Sequence, residues 1–163
     1  MTIRTARPED MDGVRMLFGE YLEFLGCDLR FQGFDAEMAG LPGDYAPPSG
    51  ALLVAEEEGR LVGCVALRRQ ADGVCEMKRL YVRPGSRGTG LGRKLAEEVV
   101  RTAREAGYGL LRLDTLDRLD AAMRLYESMG FRRRDPYYPN PLEGVVYWEL
   151  DLAGGLDSPS PRE

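Results

Sequence analysis

One stretch constrains this chain more than any other: Val82-Arg83-Pro84-Gly85-Ser86-Arg87-Gly88-Thr89-Gly90-Leu91-Gly92-Arg93-Lys94. The residues before it, Cys75 to Val82, read as a strand. After it, Leu91, Leu95, Val99 and Ala103 recur at every fourth position, the apolar stripe of a helix. A strand therefore passes into a helix through a turn built of glycine and arginine. From Lys78 to Lys94 there are six Lys or Arg and no Asp or Glu, in a chain of net charge -5. A helix start offers free N–H groups and the positive end of the dipole. Cations placed there cost about 0.3–1 kcal/mol each unless an anion answers them. Glycines at 88, 90 and 92 let a phosphate approach bare backbone. The stretch calls for a diphosphate.

Two kinds of diphosphate loop compete. A dinucleotide fold wants G-x-G-x-x-G after an apolar strand, with an acid about 20 residues on. Here the spacing is G-x-G-x-G, and Arg93 holds the third glycine's place. Asp114 could serve as the acid, but the preceding strand carries Glu76, Lys78 and Arg79, unlike the apolar first strand of such a fold. The better match is Arg-x-x-Gly-x-Gly, here Arg87-Gly88-Thr89-Gly90-Leu91-Gly92, preceded by Leu80-Tyr81-Val82-Arg83-Pro84. This resembles the coenzyme A signature of the GNAT superfamily of N-acetyltransferases. Ala122-Met123-Arg124-Leu125-Tyr126-Glu127-Ser128-Met129-Gly130-Phe131 resembles the superfamily's "LYxxxGF" ending, in the expected order. The likeness covers residues 2 to 151 in element order and 76 to 131 closely.

The resemblance implies an α/β fold of the α+β type: a mixed, mostly antiparallel seven-stranded sheet, split in a V and flanked by about four helices. It implies one domain over residues 1 to 152, with acetyl-CoA in the split between strands 74–83 and 110–115. It also implies direct acetyl transfer to an amine, with no metal. Backbone N–H groups across Arg87, Gly88, Thr89, Gly90, Leu91 and Gly92, with Arg93 nearby, should hold the pyrophosphate. Leu80, Tyr81 and Val82 should run beside the pantetheine arm. Leu80 and Val82 share one face of that strand by period two, while Met77 falls on the other, so a bulge between 77 and 80 would bring Met77 round.

Acetyl transfer makes further demands. A lysine-like amine is only about 1 part in 10³ neutral at pH 7, a handicap of roughly 4–5 kcal/mol that a general base can relieve. Glu76 stands eleven residues before Arg87, the spacing of the glutamate base in the superfamily's histone-acetylating branch, and is the candidate base. Its alternative is a salt-bridged or solvated carboxylate beside a water relay. Tyr126 falls on the family's tyrosine near the coenzyme sulfur and is the candidate acid for the departing thiolate. The family often has Asn seven residues before that tyrosine; here Leu119 stands there. A non-catalytic acetyl-CoA sensor is the rival reading.

The acceptor is less sharply marked. An amino acid or other small primary amine is preferred over a protein lysine or N-terminus. Asp28, Arg30, Asp44 and Tyr45 could wall its site, as could Tyr137, Tyr138 and Asn140 in a proline-rich loop. Arg132, Arg133 and Arg134 could neutralise a substrate carboxylate, and Glu20 and Glu23 either border the site or form a solvated face.

Composition narrows the field. There are 163 residues, 44% hydrophobic and 30% charged, as expected of one globular domain. With no histidine, a His-based triad is excluded and structural zinc is disfavoured. Cys27, Cys64 and Cys75 are scattered and read as small buried residues. The acidic total and the short basic patch argue against nucleic acid as a partner. No apolar run is long enough to span a membrane, and Met1 to Thr5 lack a signal peptide's apolar segment, so a cytoplasmic location is expected. A homodimer is allowed, and the Gly/Ser/Pro-rich tail 153–163 is expected to fray.

Overall fold

The computed structural model describes residues 1–26 and 33–153; Cys27, Asp28, Arg30 and the tail from 154 lie outside the described residues. Strand β1 (Thr2–Thr5) leads into helix α1 (Met11–Leu25) and helix α2 (Phe34–Ala39). A meander follows: β2 (Ala51–Glu57), β3 (Arg60–Ala71) and β4 (Val74–Val82). Helix α3 (Leu91–Glu105), β5 (Leu110–Leu116), helix α4 (Asp120–Ser128), β6 (Arg132–Arg134) and β7 (Val145–Asp151) complete the order. The seven strands form one sheet ordered β1-β2-β3-β4-β5-β7-β6. Only β4 and β5 run parallel. The mostly antiparallel α/β architecture anticipated from sequence is therefore present. A doubly wound dinucleotide sheet is not.

Two apolar layers sandwich the sheet. On one face α3 lays Leu91, Leu95, Val99 and Ala103 against Val65, Leu67, Cys75 and Met77. On the other, Val14, Leu17 and Phe18 of α1 meet Leu52, Val54, Cys64 and Tyr81. Helix α3 sits so close that a Cβ on Gly63 would come within 3.2 Å of Leu95 Cδ1. Among the described residues, no helix is long and apolar enough to cross a membrane.

Backbone geometry sets the helix boundaries. Helix α3 begins at Leu91, because Gly90 is left-handed (φ 83°) and starts the helix from outside it. Phe131 closes α4: its N–H donates to the Tyr126 carbonyl at 3.0 Å.

The decisive irregularity lies in β4. Ala66 pairs with Lys78 and Cys64 with Tyr81, so one residue of β3 faces two of β4. The extra residue is accommodated at Arg79, whose φ is +61°, a left-handed conformation rarely adopted by a long side chain. This puts Met77, Leu80 and Val82 against the α3 layer and leaves Tyr81 with the α1 layer. Just ahead of the bulge β4 parts from β5. Their pairs stop at Val74–Leu110, Cys75–Leu111 and Glu76–Arg112, while β5 continues along β7 as far as Leu116–Val145.

Arg79 is 3% exposed. Its guanidinium donates to Glu37 of α2 at 2.7 and 2.9 Å and lies over the Phe34 ring at 5.3 Å. The bulge is thus pinned to α2 through a buried ion pair. Removing one partner of such a pair leaves an uncompensated charge. Glu37→Ala should cost about 3 kcal/mol in urea unfolding; a loss below about 1 kcal/mol would mean that water replaces the carboxylate freely.

Candidate functional site

The divergence of β4 and β5 opens a cleft of ≈ 470 Å³. Its floor is β4 from Met77 to Val82, its far wall Leu113 to Thr115 of β5, and its cover Leu119 to Ala122, Leu125 and Tyr126 at the start and middle of α4. Tyr21, Phe24 and Arg87 close one end. The cleft is where the sequence placed a cofactor.

At that end the turn from Gly85 to Gly92 delivers β4 into α3. Gly88 and Gly90 are both left-handed, at φ 80° and 83°, and a Cβ on either would meet nothing within 4 Å. The turn is bare outward. Thr89 Oγ donates to the Ser86 carbonyl at 2.8 Å and holds it together from inside. Lys94 is the first residue of the helix whose N–H finds an acceptor behind it, the Gly90 carbonyl at 3.1 Å. The first-turn N–H groups of Leu91, Gly92 and Arg93 precede the intrahelical ladder and point back toward the turn. Leu91's side chain is core, so only its backbone can serve a ligand.

The two arginines differ. Arg87 lies against the cleft with its guanidinium over the Phe24 ring at 4.6 Å and the Tyr81 ring at 5.5 Å, and its Nε donates to the Val82 carbonyl at 2.8 Å. Arg93 turns away: its Nε meets Glu97 at 3.0 Å and its Nη1 donates to Ser128 Oγ at 2.7 Å. Arg93 can offer the turn its N–H, not its charge. Tyr81 is buried, with its hydroxyl donating to Glu20 at 3.3 Å. Glu20 in turn holds Arg83 at 2.8 and 3.0 Å, tying α1 to the end of β4 rather than bordering an amine.

Tyr126 lies on the cleft wall, its ring packed against Phe131 and Trp148. Burial pushes its hydroxyl above the ordinary phenol value, and Tyr21 and Asp114 add to the rise. It is a proton donor at neutral pH.

Glu76 is 1% exposed, on the opposite face of β4 from Met77, and is not part of the cleft wall. Both its oxygens are engaged. Oε1 accepts from Arg68 at 3.0 Å, and Oε2 accepts from the Tyr137 hydroxyl at 2.6 Å with Lys78 Nζ at 3.7 Å. Burial alone would raise its carboxyl, but Lys78, Tyr137 and Arg68 outweigh that and hold it below the ordinary value. The salt-bridged alternative weighed for this residue describes its surroundings. Lys78 is 6% exposed and lies on the cleft floor.

Sequence reasoning undervalued Asp114. It stands on β5 two residues past the last β4–β5 pair, at the throat of the V, and lines the cleft. The Tyr138 hydroxyl and Asn140 Nδ2 both reach its Oδ2, and Asn140 also donates to the Tyr138 hydroxyl at 2.9 Å. The signal lay in its place within an otherwise alternating strand, together with the tyrosine-rich loop. Other acceptor candidates dispersed: Tyr45 is core, Asp44 is exposed, Arg134 pairs with Glu149 at 2.7 Å, and Arg133 lies over Trp148.

Residues 18–131 match the model of the Acetyltransferase (GNAT) family. The chain belongs to that family. An uncharacterized N-acetyltransferase of Schizosaccharomyces pombe is 48% identical over 148 residues, which cover 90% of this chain and 91% of the relative. A GNAT-family acetyltransferase from Staphylococcus aureus Mu50 shares the fold with a TM-score of 0.78 at 20% identity, over 93% of this chain and 98% of the other. An acetyltransferase from Salmonella typhimurium, solved with its cofactor acetyl-CoA, gives 0.69 at 23% identity over 98% and 97%. This GNAT chain is an N-acetyltransferase, and its family uses acetyl-CoA. The dinucleotide reading falls with the sheet topology, and the sensor reading with the acyltransferase family.

The Glu76 cluster has a pH signature. A carboxyl depressed on folding stabilises above its unfolded pKa, near 4.5, and that stabilisation is lost as pH falls through the lower folded value. Glu76→Gln should therefore be clearly less stable than the parent at pH 7, by about 3 kcal/mol. The gap should narrow below pH 4.5. Urea midpoints at pH 7 and pH 3.5 check this; a gap that widens in acid would reverse the sign.

Proposed function

We propose that this protein transfers an acetyl group from acetyl-CoA to a small primary amine, with the thioester seated in the cleft between β4 and β5. The observation that carries this reading is one cavity lined by the bulged β4 edge, by Tyr126 on the facing wall, and by Arg87, which leads into the bare turn at the start of α3.

The pyrophosphate sits on the N–H groups between Gly88 and Arg93, with Arg87 adding charge-assisted bonds. The pantetheine arm runs along Leu80, Tyr81 and Val82, whose backbone the bulge frees from β5. The acyl group then lies at the throat of the V. The amine attacks the thioester carbonyl, the C–N bond forms and the C–S bond breaks. Tyr126 protonates the departing sulfur. Burial keeps the phenol protonated, so its proton is in place when the thiolate departs. Glu76 serves as a buried anchor for Arg68, Lys78 and Tyr137.

A small acceptor is favoured by the loop between β6 and β7. Tyr137 bonds Glu76 of β4 and Tyr138 bonds Asp114 of β5, so this loop is fastened across both strands at the throat. A folded protein's lysine would have to displace it.

Two variants separate binding from chemistry. Arg87→Glu should raise the acetyl-CoA Kd by about 10–100-fold in calorimetry, the worth of one charge-assisted contact; unchanged affinity would put the phosphates elsewhere. Tyr126→Phe should lower kcat about 100-fold in thiol-release assays while leaving the acetyl-CoA Kd within about twofold. Normal turnover would remove Tyr126 from the acid role.

A further inference from the structure

We propose that Asp114, through its Oδ1 atom, takes the proton from the acceptor amine. This rests on the transferase reading above and assigns the base within it.

The two carboxylates nearest the throat, Glu76 and Asp114, are treated differently by the structure. Glu76 spends both oxygens on Arg68, Tyr137 and Lys78 and lies off the cleft wall. A proton arriving there would break an ion pair. Asp114 lies on the wall. Tyr138 and Asn140 both address its Oδ2, and among the described residues no donor is recorded for Oδ1. One oxygen is clamped, and the other has no donor among the described residues, on a side chain that lines the cavity. That is the form expected of an oriented base: a proton acceptor facing the site, held from behind by groups that keep it from turning.

Its neighbours fit the assignment. From β4, Lys78 faces Asp114 across the V. From α4, Tyr126 stands near enough for the Asp114 charge to help keep its hydroxyl protonated, and Tyr21 of α1 acts on that hydroxyl as well. Tyr137 of the loop and Tyr147 of β7 complete the charged and titratable surroundings, beside the clamping Tyr138. Arg118 and Asp120 lie along the cleft nearer α4. Base and acid thus sit on opposite walls, β5 and α4, with the thioester position between them.

The protons balance. An ammonium acceptor gives one proton to Asp114 Oδ1, which passes it to water. The neutral nitrogen attacks the thioester carbon, and the electron pair of the C–S bond leaves on sulfur. Tyr126 protonates that sulfur, and the second proton released from nitrogen as the amide forms restores the Tyr126 hydroxyl. The products are the N-acetyl amide, free coenzyme A thiol and one proton in solution.

The test uses two acceptors. Thiol release is measured with the best substrate among glycine, lysine, spermidine and phenethylamine, all ammonium ions at pH 7, and with hydroxylamine, which is mostly neutral there. Asp114→Asn should lower kcat/KM about 100-fold for the ammonium acceptor but only about fivefold for hydroxylamine. The ammonium deficit should shrink as pH rises toward the amine's pKa, while the acetyl-CoA Kd stays at the parent value. Equal losses with both acceptors, or none, would overturn the assignment. So would Glu76→Gln showing the acceptor-dependent loss in place of Asp114→Asn. Should Asp114→Asn fail to fold, the double variant Tyr138→Phe, Asn140→Ala decides: freeing the carboxylate should produce a smaller loss confined to the ammonium acceptor, and an acceptor-independent loss would count against the role. No thiol release by the parent with any of these amines would instead overturn the small-amine reading on which the proposal rests.

Discussion

An extra residue in β4, held by the buried pair between Arg79 and Glu37, sets the geometry of everything downstream. Without it, β4 would keep its register with β3 and could remain paired with β5 along its length. With it, the strand twists at Lys78–Tyr81, the β4–β5 ladder ends after Glu76–Arg112, and a cavity opens inside a sheet that is otherwise continuous. The backbone freed by this divergence belongs to Leu80 and Val82, beside the cleft. A left-handed arginine is costly on its own. Here α2 and the Phe34 ring over-determine it, and the strain sits beside the cleft.

The charges in and around the throat follow a division of labour. Arg68, Glu76, Lys78 and Tyr137 form a closed group in which both carboxylate oxygens are engaged, and this group fastens β3, β4 and the β6–β7 loop together. Among the described residues, Asp114 is held at Oδ2 alone, by Tyr138 and Asn140. A buried carboxylate with all partners in place gives up its charge reluctantly, whereas one facing a cavity can exchange protons with what enters it. Chemistry belongs with the second kind, and the loop carrying Tyr137, Tyr138 and Asn140 builds both.

Much of this was readable from the chain. The strand–turn–helix passage, the glycines at 88, 90 and 92, and the Leu-Tyr-x-x-x-Gly-Phe ending fixed the family likeness because each is a local backbone requirement written in a few adjacent residues. The bulge was legible too, since Met77 broke the alternation that Leu80 and Val82 kept. What escaped was pairing across distance. Nothing in the sequence says that Tyr137 reaches Glu76 or that Tyr138 reaches Asp114, sixty-one and twenty-four residues away. Spacing therefore favoured Glu76 as the base, and nothing in it foretold that Glu76 is buried with both oxygens engaged. Arg93 is similar: its position in the first turn suggested a phosphate contact, but Glu97 one turn on and Ser128 at the end of α4 claim its side chain.

The most direct measurement of the central claim, that the freed β4 edge and the α3 turn form one continuous seat for acetyl-CoA, is an amide-resolved NMR titration of the full chain with coenzyme A. The amides of Gly88, Gly90, Leu91, Gly92 and Arg93 should show the largest shifts, downfield as the pyrophosphate accepts their hydrogen bonds, with a second set at Leu80 to Val82 moving at the same coenzyme A concentration. Shifts concentrated elsewhere, with the turn and the β4 edge unmoved at saturation, would contradict it.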